Sequence, residues 1–168
     1  TSFNRGSMSV NWYHLSKTIK LVVTIYFCLK MQRLNLKYRI LKDTDKDLVN
    51  TWLKGWGLNE LEREMYPDTG LVLYNEEDNT PIYIGFIWIP ETSNMAMIGF
   101  ITRNPFYKAK LPKGLRKQFV SELRWECKRL GKSVVISWTD NTFLVQDFKE
   151  LNFAESSDRC RELIQKIL

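Results

Sequence analysis

Between residues 96 and 138 the apolar positions change period twice. Residues 96–103 (AMIGFITR) form an apolar run of strand length, stopped by Asn104-Pro105. Leu115, Phe119, Leu123, Cys127 and Leu130 then recur at three- and four-residue spacing, which predicts a helix near 113–130 with one apolar stripe. Gly131 is placed to end that helix in a left-handed cap. Residues 133–138 (SVVISW) are β-rich and almost continuously apolar, the pattern of a strand covered on both faces.

Upstream, residues 36–41 (LKYRIL) alternate and predict a strand. Asp43-Thr44-Asp45 offers N-caps to a helix whose apolar face is Leu48, Trp52 and Leu53, and Gly55-Trp56-Gly57 ends it. Residues 58–66 (LNELEREMY) read as an acidic helix stopped by Pro67. Strands follow near 70–74, 81–89 and 95–103, joined by short polar turns, as in an antiparallel meander. After Trp138, Asp140-Asn141-Thr142 can cap a short helix over 143–149, and 160–168 closes the chain as an amphipathic helix or strand. This order predicts an α+β fold, with helices covering a mostly antiparallel sheet.

The loop between the 96–103 strand and the long helix is basic. Lys108, Lys110 and Lys113 lie in it, and Arg103 and Arg116 flank it. A strand that feeds a helix through such a loop presents unpaired N–H groups and a positive dipole end, a place to hold a phosphate. The other reading of these cations is a solvated basic face.

Charge adds less than its total suggests. The 168 residues carry 25 Lys and Arg against 19 Asp and Glu, a net +6. Arg5, Lys17, Lys20 and Lys30 supply +4 of that within residues 1–30, which hold no acid. The rest is only mildly basic, so nucleic acid is an unlikely partner on this ground. The 44% hydrophobic content excludes disorder across the whole chain. Cys28, Cys127 and Cys160 are odd in number and scattered, which suggests neither a disulfide framework nor a zinc site and favours a reducing compartment. His14 is the only histidine, so a Ser-His or Cys-His dyad would have to use it. No P-loop, G-x-G-x-x-G or metal triad is present.

Residues 1–35 read as an N-terminal extension and 36–168 as the domain. Residues 1–7 have the composition of a flexible tail. Residues 21–29 (LVVTIYFCL) are apolar but far short of the ~20 needed to cross a bilayer. They could be a packed strand or helix, or a signal-peptide core lacking a cleavage site. They could equally be part of an upstream extension if Met31 is the natural start.

From about Leu36 onward the chain resembles the Gcn5-related N-acetyltransferases, and more narrowly the small acetyltransferase-like proteins of tailed phages and prophages. The likeness is carried by LVNTWLKGWG (48–57), MYPDTGLVLY (65–74), IGFIWIPETSNMAMI (84–98), TRNP (102–105) and FKELNF (148–153). The resemblance implies a splayed sheet, with acetyl-coenzyme A between the strands before and after the long helix and its pyrophosphate at the helix N-terminus. It implies acetyl transfer to an unidentified amine in the cytoplasm of a bacterial host. It places cofactor contacts at Phe100, Ile101, Thr102, Arg103, Lys108, Lys110, Lys113, Gly114 and Leu115, with Asn141 on the pantetheine arm. Asn141 would equally serve as a helix N-cap.

The chain departs from the family pattern in three places. Leu111 and Lys113 stand where the pyrophosphate loop has glycines, and Gly114 comes one position late. Gly99 stands where phage relatives carry a general-base Glu, and Phe148 where the family has its general-acid Tyr. Glu60, Glu62, Glu64 and Asp68 form an acidic run near the expected acceptor entrance; Glu60 or Glu64 could relay a proton, or the run is a solvated face. Two readings remain beside the enzyme: a non-catalytic binding module with this fold, and a nucleic-acid binder.

Overall fold

A computed structural model describes residues 34–155. The elements are β1 (Leu36–Ile40), α1 (Thr44–Gly55), a 3-10 turn (Arg63–Met65), β2 (Gly70–Asn75), β3 (Thr80–Trp88), β4 (Met95–Arg103), α2 (Leu115–Arg129), β5 (Val134–Ser137) and α3 (Thr142–Glu150). The strands form one sheet in sequence order. β1 to β4 are antiparallel neighbours, and β5 joins β4 in parallel. A parallel neighbour needs a crossover, which α2 supplies. This is the α+β architecture expected from the element order, with a mostly antiparallel sheet.

Period-two alternation gives the sheet two buried faces. Val72, Ile84 and Phe86 pack with Val49 and Trp52 of α1 and with Leu41 and Tyr66. The alternate positions meet α2. Tyr83 stacks on Phe119 at 5.6 Å, and a Cβ on Gly85 would lie 2.6 Å from Leu123 Cδ1. Gly85 therefore lets α2 sit close to β3. Leu115, Phe119, Val120, Leu123 and Cys127 are all buried, so the apolar stripe of the sequence is the packed face.

The helix ends follow from local chemistry. Beyond α2, the Gly131 N–H reaches Lys128 O and the Lys132 N–H reaches Cys127 O, each at 3.0 Å, closing the expected left-handed cap. α3 ends the same way with Asn152 in the left-handed residue's place, and Phe153 packs on Phe148 across the cap with ring centroids 4.8 Å apart.

Two sequence readings are corrected. Residues 58–66 are not a helix; only Arg63–Met65 makes a 3-10 turn. The Asn50 side chain takes both peptide groups of Leu61, at 2.9 and 3.1 Å, and Arg63 reaches back to Asp43 and Asp47. These tertiary bonds replace the ladder that a helix would need. The second correction concerns β5, which is not covered on both faces. It closes the described sheet at one edge, and Val134 is 51% exposed.

The candidate caps before α1 act differently from a simple N-cap. Asp43 makes no side-chain cap bond. Asp45, 4% exposed, accepts from both Arg39 guanidinium nitrogens at 2.7 and 2.8 Å and from the Lys42 N–H at 2.7 Å. Burial pushes its pKa up, but the Arg39 and Lys42 hydrogen bonds and charges together outweigh burial and hold it below the ordinary value. Asp45→Asn should therefore lower the unfolding free energy by about 2–3 kcal/mol at neutral pH. A group with a depressed folded pKa loses its contribution as pH falls through that pKa. In urea unfolding the gap between the two proteins should thus start to narrow only below about pH 4, the unfolded carboxylate value, and close as pH falls through the lower folded pKa. A gap that persists in acid would contradict the carboxylate's role.

Candidate functional site

β4 and β5 pair over only four residues, Met95↔Val134 to Ile98↔Ser137. Beyond Ile98, β4 continues beside β3 alone. Phe86 faces Gly99 and Ile84 faces Thr102, so Phe100 and Ile101 together oppose Gly85. That extra residue is a β-bulge, and Phe100 takes a left-handed φ of 44° to make it. The Asn104 N–H donates to Ile82 O at 2.9 Å, toward β3. Alternation then turns the peptide groups of Ile101 and Arg103 the other way, onto the edge that β5 has left. Trp56 Nε1 donates to the Arg103 carbonyl at 2.8 Å on that edge.

The loop after β4 leads into α2 through Gly114. Its φ of 79° lies where a side chain would be strained, and it has no side chain with which to cap the helix. The first-turn N–H groups of α2 therefore lack a side-chain cap and carry the positive end of a 15-residue dipole. A cleft of about 240 Å3 opens there, lined by Tyr83, Arg103, Leu111, Pro112, Gly114, Leu115, Arg116, Lys117 and Asp147.

The cations of the cleft differ in availability. Arg116 is held by Asp147 and by the Phe143 carbonyl at 3.0 Å, with the Phe143 ring 5.8 Å away. Lys117 bonds Glu150 at 2.6 Å. Arg103 makes no ion pair among the described residues and is the cleft's uncommitted charge. Burial raises the Tyr83 pKa, with Arg103 and Arg116 opposing and Asp147 adding to the rise, so Tyr83 stays a neutral hydroxyl at physiological pH.

Of the residues singled out in the sequence, the cleft brings together Arg103, Gly114 and Leu115, with Arg116 beside them. Phe100, Ile101 and Thr102 form the bulged, open part of β4. Lys108, Lys110 and Lys113 are exposed and do not line the cleft. Asn141 caps α3, its Oδ1 accepting from the Phe143 and Leu144 N–H groups at 3.1 Å. Asn141 as a whole is exposed.

The empty acid–base positions have structural reasons. Over Gly99 lies Trp88, whose Cζ3 would be 3.0 Å from a Cβ. Trp88 continues into a ring cluster with Phe100 at 5.3 Å and Phe86 at 6.5 Å. Phe148 is 6% exposed and faces Phe153, filling the cap of α3 rather than the cleft. In the acidic run, Glu60 pairs with Lys54 at 2.8 Å and Asp68 with Lys46. Tyr66 donates to Asn50 Oδ1 at 2.7 Å, and burial, with the Glu60 charge, pushes its pKa to about 12. Cys127 is a buried thiol pushed up to about 11 chiefly by burial, which rules it out as a ready nucleophile. His14 and the 160–168 segment lie outside the described residues.

Sequence reasoning missed Tyr83, Asp147 and Lys117. They are brought in by sheet register and helix packing, and no local motif marks them. Trp56, one of the tryptophans that read in the sequence as core more than as site, is exposed and tied to β4. Among the described residues no cluster could hold a metal ion, and no helix is long and apolar enough to cross a membrane.

No family model and no curated protein matches the sequence. Solved structures do match the fold. An acetyltransferase from Trypanosoma brucei aligns at TM-score 0.55 and 17% identity, over 77% of this chain and 99% of that one. Glucosamine-6-phosphate N-acetyltransferase from Arabidopsis thaliana aligns at TM-score 0.53 and 18% identity, over 77% and 99%. A putative acetyltransferase from Salmonella typhimurium, solved with its cofactor acetyl-CoA, aligns at TM-score 0.55 and 15% identity, over 73% and 82%. At these identities the likeness is one of fold. The chain has the fold of the Gcn5-related N-acetyltransferases, in agreement with the resemblance read from the sequence.

Proposed function

We propose that the chain binds acetyl-coenzyme A along the open edge of β4, with the pyrophosphate at the α2 N-terminus, and transfers the acetyl group to an amine. One observation carries this reading: the strand edge that β5 leaves open runs into an uncapped helix N-terminus beside the unpaired Arg103. The residues fit the group in kind. Peptide groups of Ile101 and Arg103 suit an amide-bearing arm, and helix N–H groups with one free guanidinium suit a diphosphate. Within this reading, the chain belongs with the small phage-encoded acetyltransferase-like proteins and acts in the host cytoplasm.

The chain's own contribution is to hold two reactants together and to polarise the thioester carbonyl through a backbone N–H at the bulge. A thiolate is a tolerable leaving group, with a reference thiol pKa of about 8.5. No side chain at residue 99 or 148 can take or give a proton, and Glu60 is engaged with Lys54. Unless Glu64 relays the proton, the amine arrives unprotonated and releases its proton to water. The rate should rise about tenfold per pH unit up to the pKa of the amine used. A plateau near neutrality, well below the amine's pKa, would instead reveal a residue acting as base.

Calorimetric titration with acetyl-coenzyme A, followed by release of free thiol across a panel of amines, tests the proposal. Gly99 and Phe148 favour one second reading, a binding module that retains the fold without chemistry. Absence of coenzyme A binding by the folded chain, or binding without thiol release, would select that reading over the enzyme. Lys108→Glu with Lys110→Glu should weaken binding only severalfold, and the loss should shrink at high salt, because these lysines act from outside the cleft.

A further inference from the structure

Trp56 is the C-cap residue of α1, followed by Gly57 at a left-handed φ of 72°. The turn sits hard against the end of β4, because a Cβ on Gly55 would lie 2.7 Å from Pro105 Cγ and 2.9 Å from Phe106 Cζ. From there the indole N–H reaches the Arg103 carbonyl at 2.8 Å, while the ring stays 52% exposed. A hydrogen bond thus ties this large apolar ring to a strand edge that β5 leaves open. An extended, amide-bearing ligand that adds to that edge like a strand needs the same carbonyl. A carbonyl can accept twice, but here both donors approach from the side that faces away from β3.

The geometry points to Trp56 as the residue that sets affinity for the pantetheine arm, by competing with it for the Arg103 carbonyl. The indole satisfies the edge in the free chain and yields when the arm is laid down. This inference rests on the acetyl-coenzyme A reading. It goes beyond that reading by assigning a role to a side chain outside the cleft.

The test uses Trp56→Phe, which keeps a ring and removes the N–H, with Trp56→Ala as a second variant and thermal melts to verify folding. Titration with coenzyme A should show Trp56→Phe binding about two- to tenfold more tightly than the original chain, the range one hydrogen bond commands. Trp56→Ala should bind at least as tightly as the original chain. In 15N-labelled original protein, the Trp56 indole resonance, identified by its absence in the Phe variant, should shift on saturation with coenzyme A. Equal or weaker binding by Trp56→Phe overturns the inference, as does an indole resonance that stays in place at saturation. If the original chain binds coenzyme A and only these changes fail to appear, the inference alone falls. If neither the original chain nor the variants bind coenzyme A, the functional reading falls and takes the inference with it.

Discussion

Phe119→Ala is expected to lower the unfolding free energy by about 3–5 kcal/mol, the cost of truncating a fully buried aromatic ring. Phe119 is 0% exposed and stacks on Tyr83 at 5.6 Å and Tyr38 at 6.3 Å. It also stands beside Gly85, where a Cβ would lie 3.1 Å from its Cε1. Helix and sheet are too close there for neighbouring side chains to collapse into the space. Against a total stability of about 5–15 kcal/mol, the loss is a large share. Trp125→Ala, on the exposed side of the same helix, should cost less than about 1 kcal/mol even with Lys128 lying 4.8 Å from its ring. Urea melts of the two variants compare these values. Equal losses would mean that the buried face of α2 is misassigned. Because α2 also presents its N-terminus to the cleft, Phe119→Ala should weaken coenzyme A binding under conditions where the variant is still folded.

Arg103→Glu should weaken coenzyme A binding by roughly a hundredfold, about 3 kcal/mol. Arg103 is the one cation lining the cleft that no described residue pairs, since Arg116 is held by Asp147 and Lys117 by Glu150. Reversing its charge removes a donor to the diphosphate and places a second carboxylate near Asp147. The side chain is exposed, so stability should change by no more than about 0.5 kcal/mol. Calorimetry separates this from the lysine reversals. A larger effect at Lys108 and Lys110 than at Arg103 would move the anion site out of the cleft and onto the loop.

The elements most legible in the sequence were those whose period repeats. Leu115, Phe119, Leu123 and Cys127 announce the buried stripe of α2, and the meander from Gly70 to Arg103 follows from short polar turns between apolar runs. Periodicity cannot tell an edge strand from a covered one, which is why Val134 is exposed where a covered strand was expected. It also cannot foresee side-chain competition for the backbone. Asn50 captures Leu61 and leaves residues 58–66 without a helix. At the site, charge was legible and position was not: the three loop lysines stand outside the cleft that Arg103 enters. Asp147 and Tyr83 reach the cleft by register and packing, and Trp56 reaches β4 because Gly55 lets α1 end against Pro105. That Phe148 fills a helix cap and Gly99 lies under Trp88 required the fold.

The central claim is that the open edge of β4 and the α2 N-terminus form one continuous coenzyme A site. Amide resonances recorded during titration with coenzyme A test it most directly. The account predicts that the largest shifts fall on Ile101 and Arg103 of β4 and on Arg116 and Lys117 in the first turn of α2, saturating together with one affinity. Shifts confined to other faces, or the absence of saturable shifts in a folded protein, would contradict it.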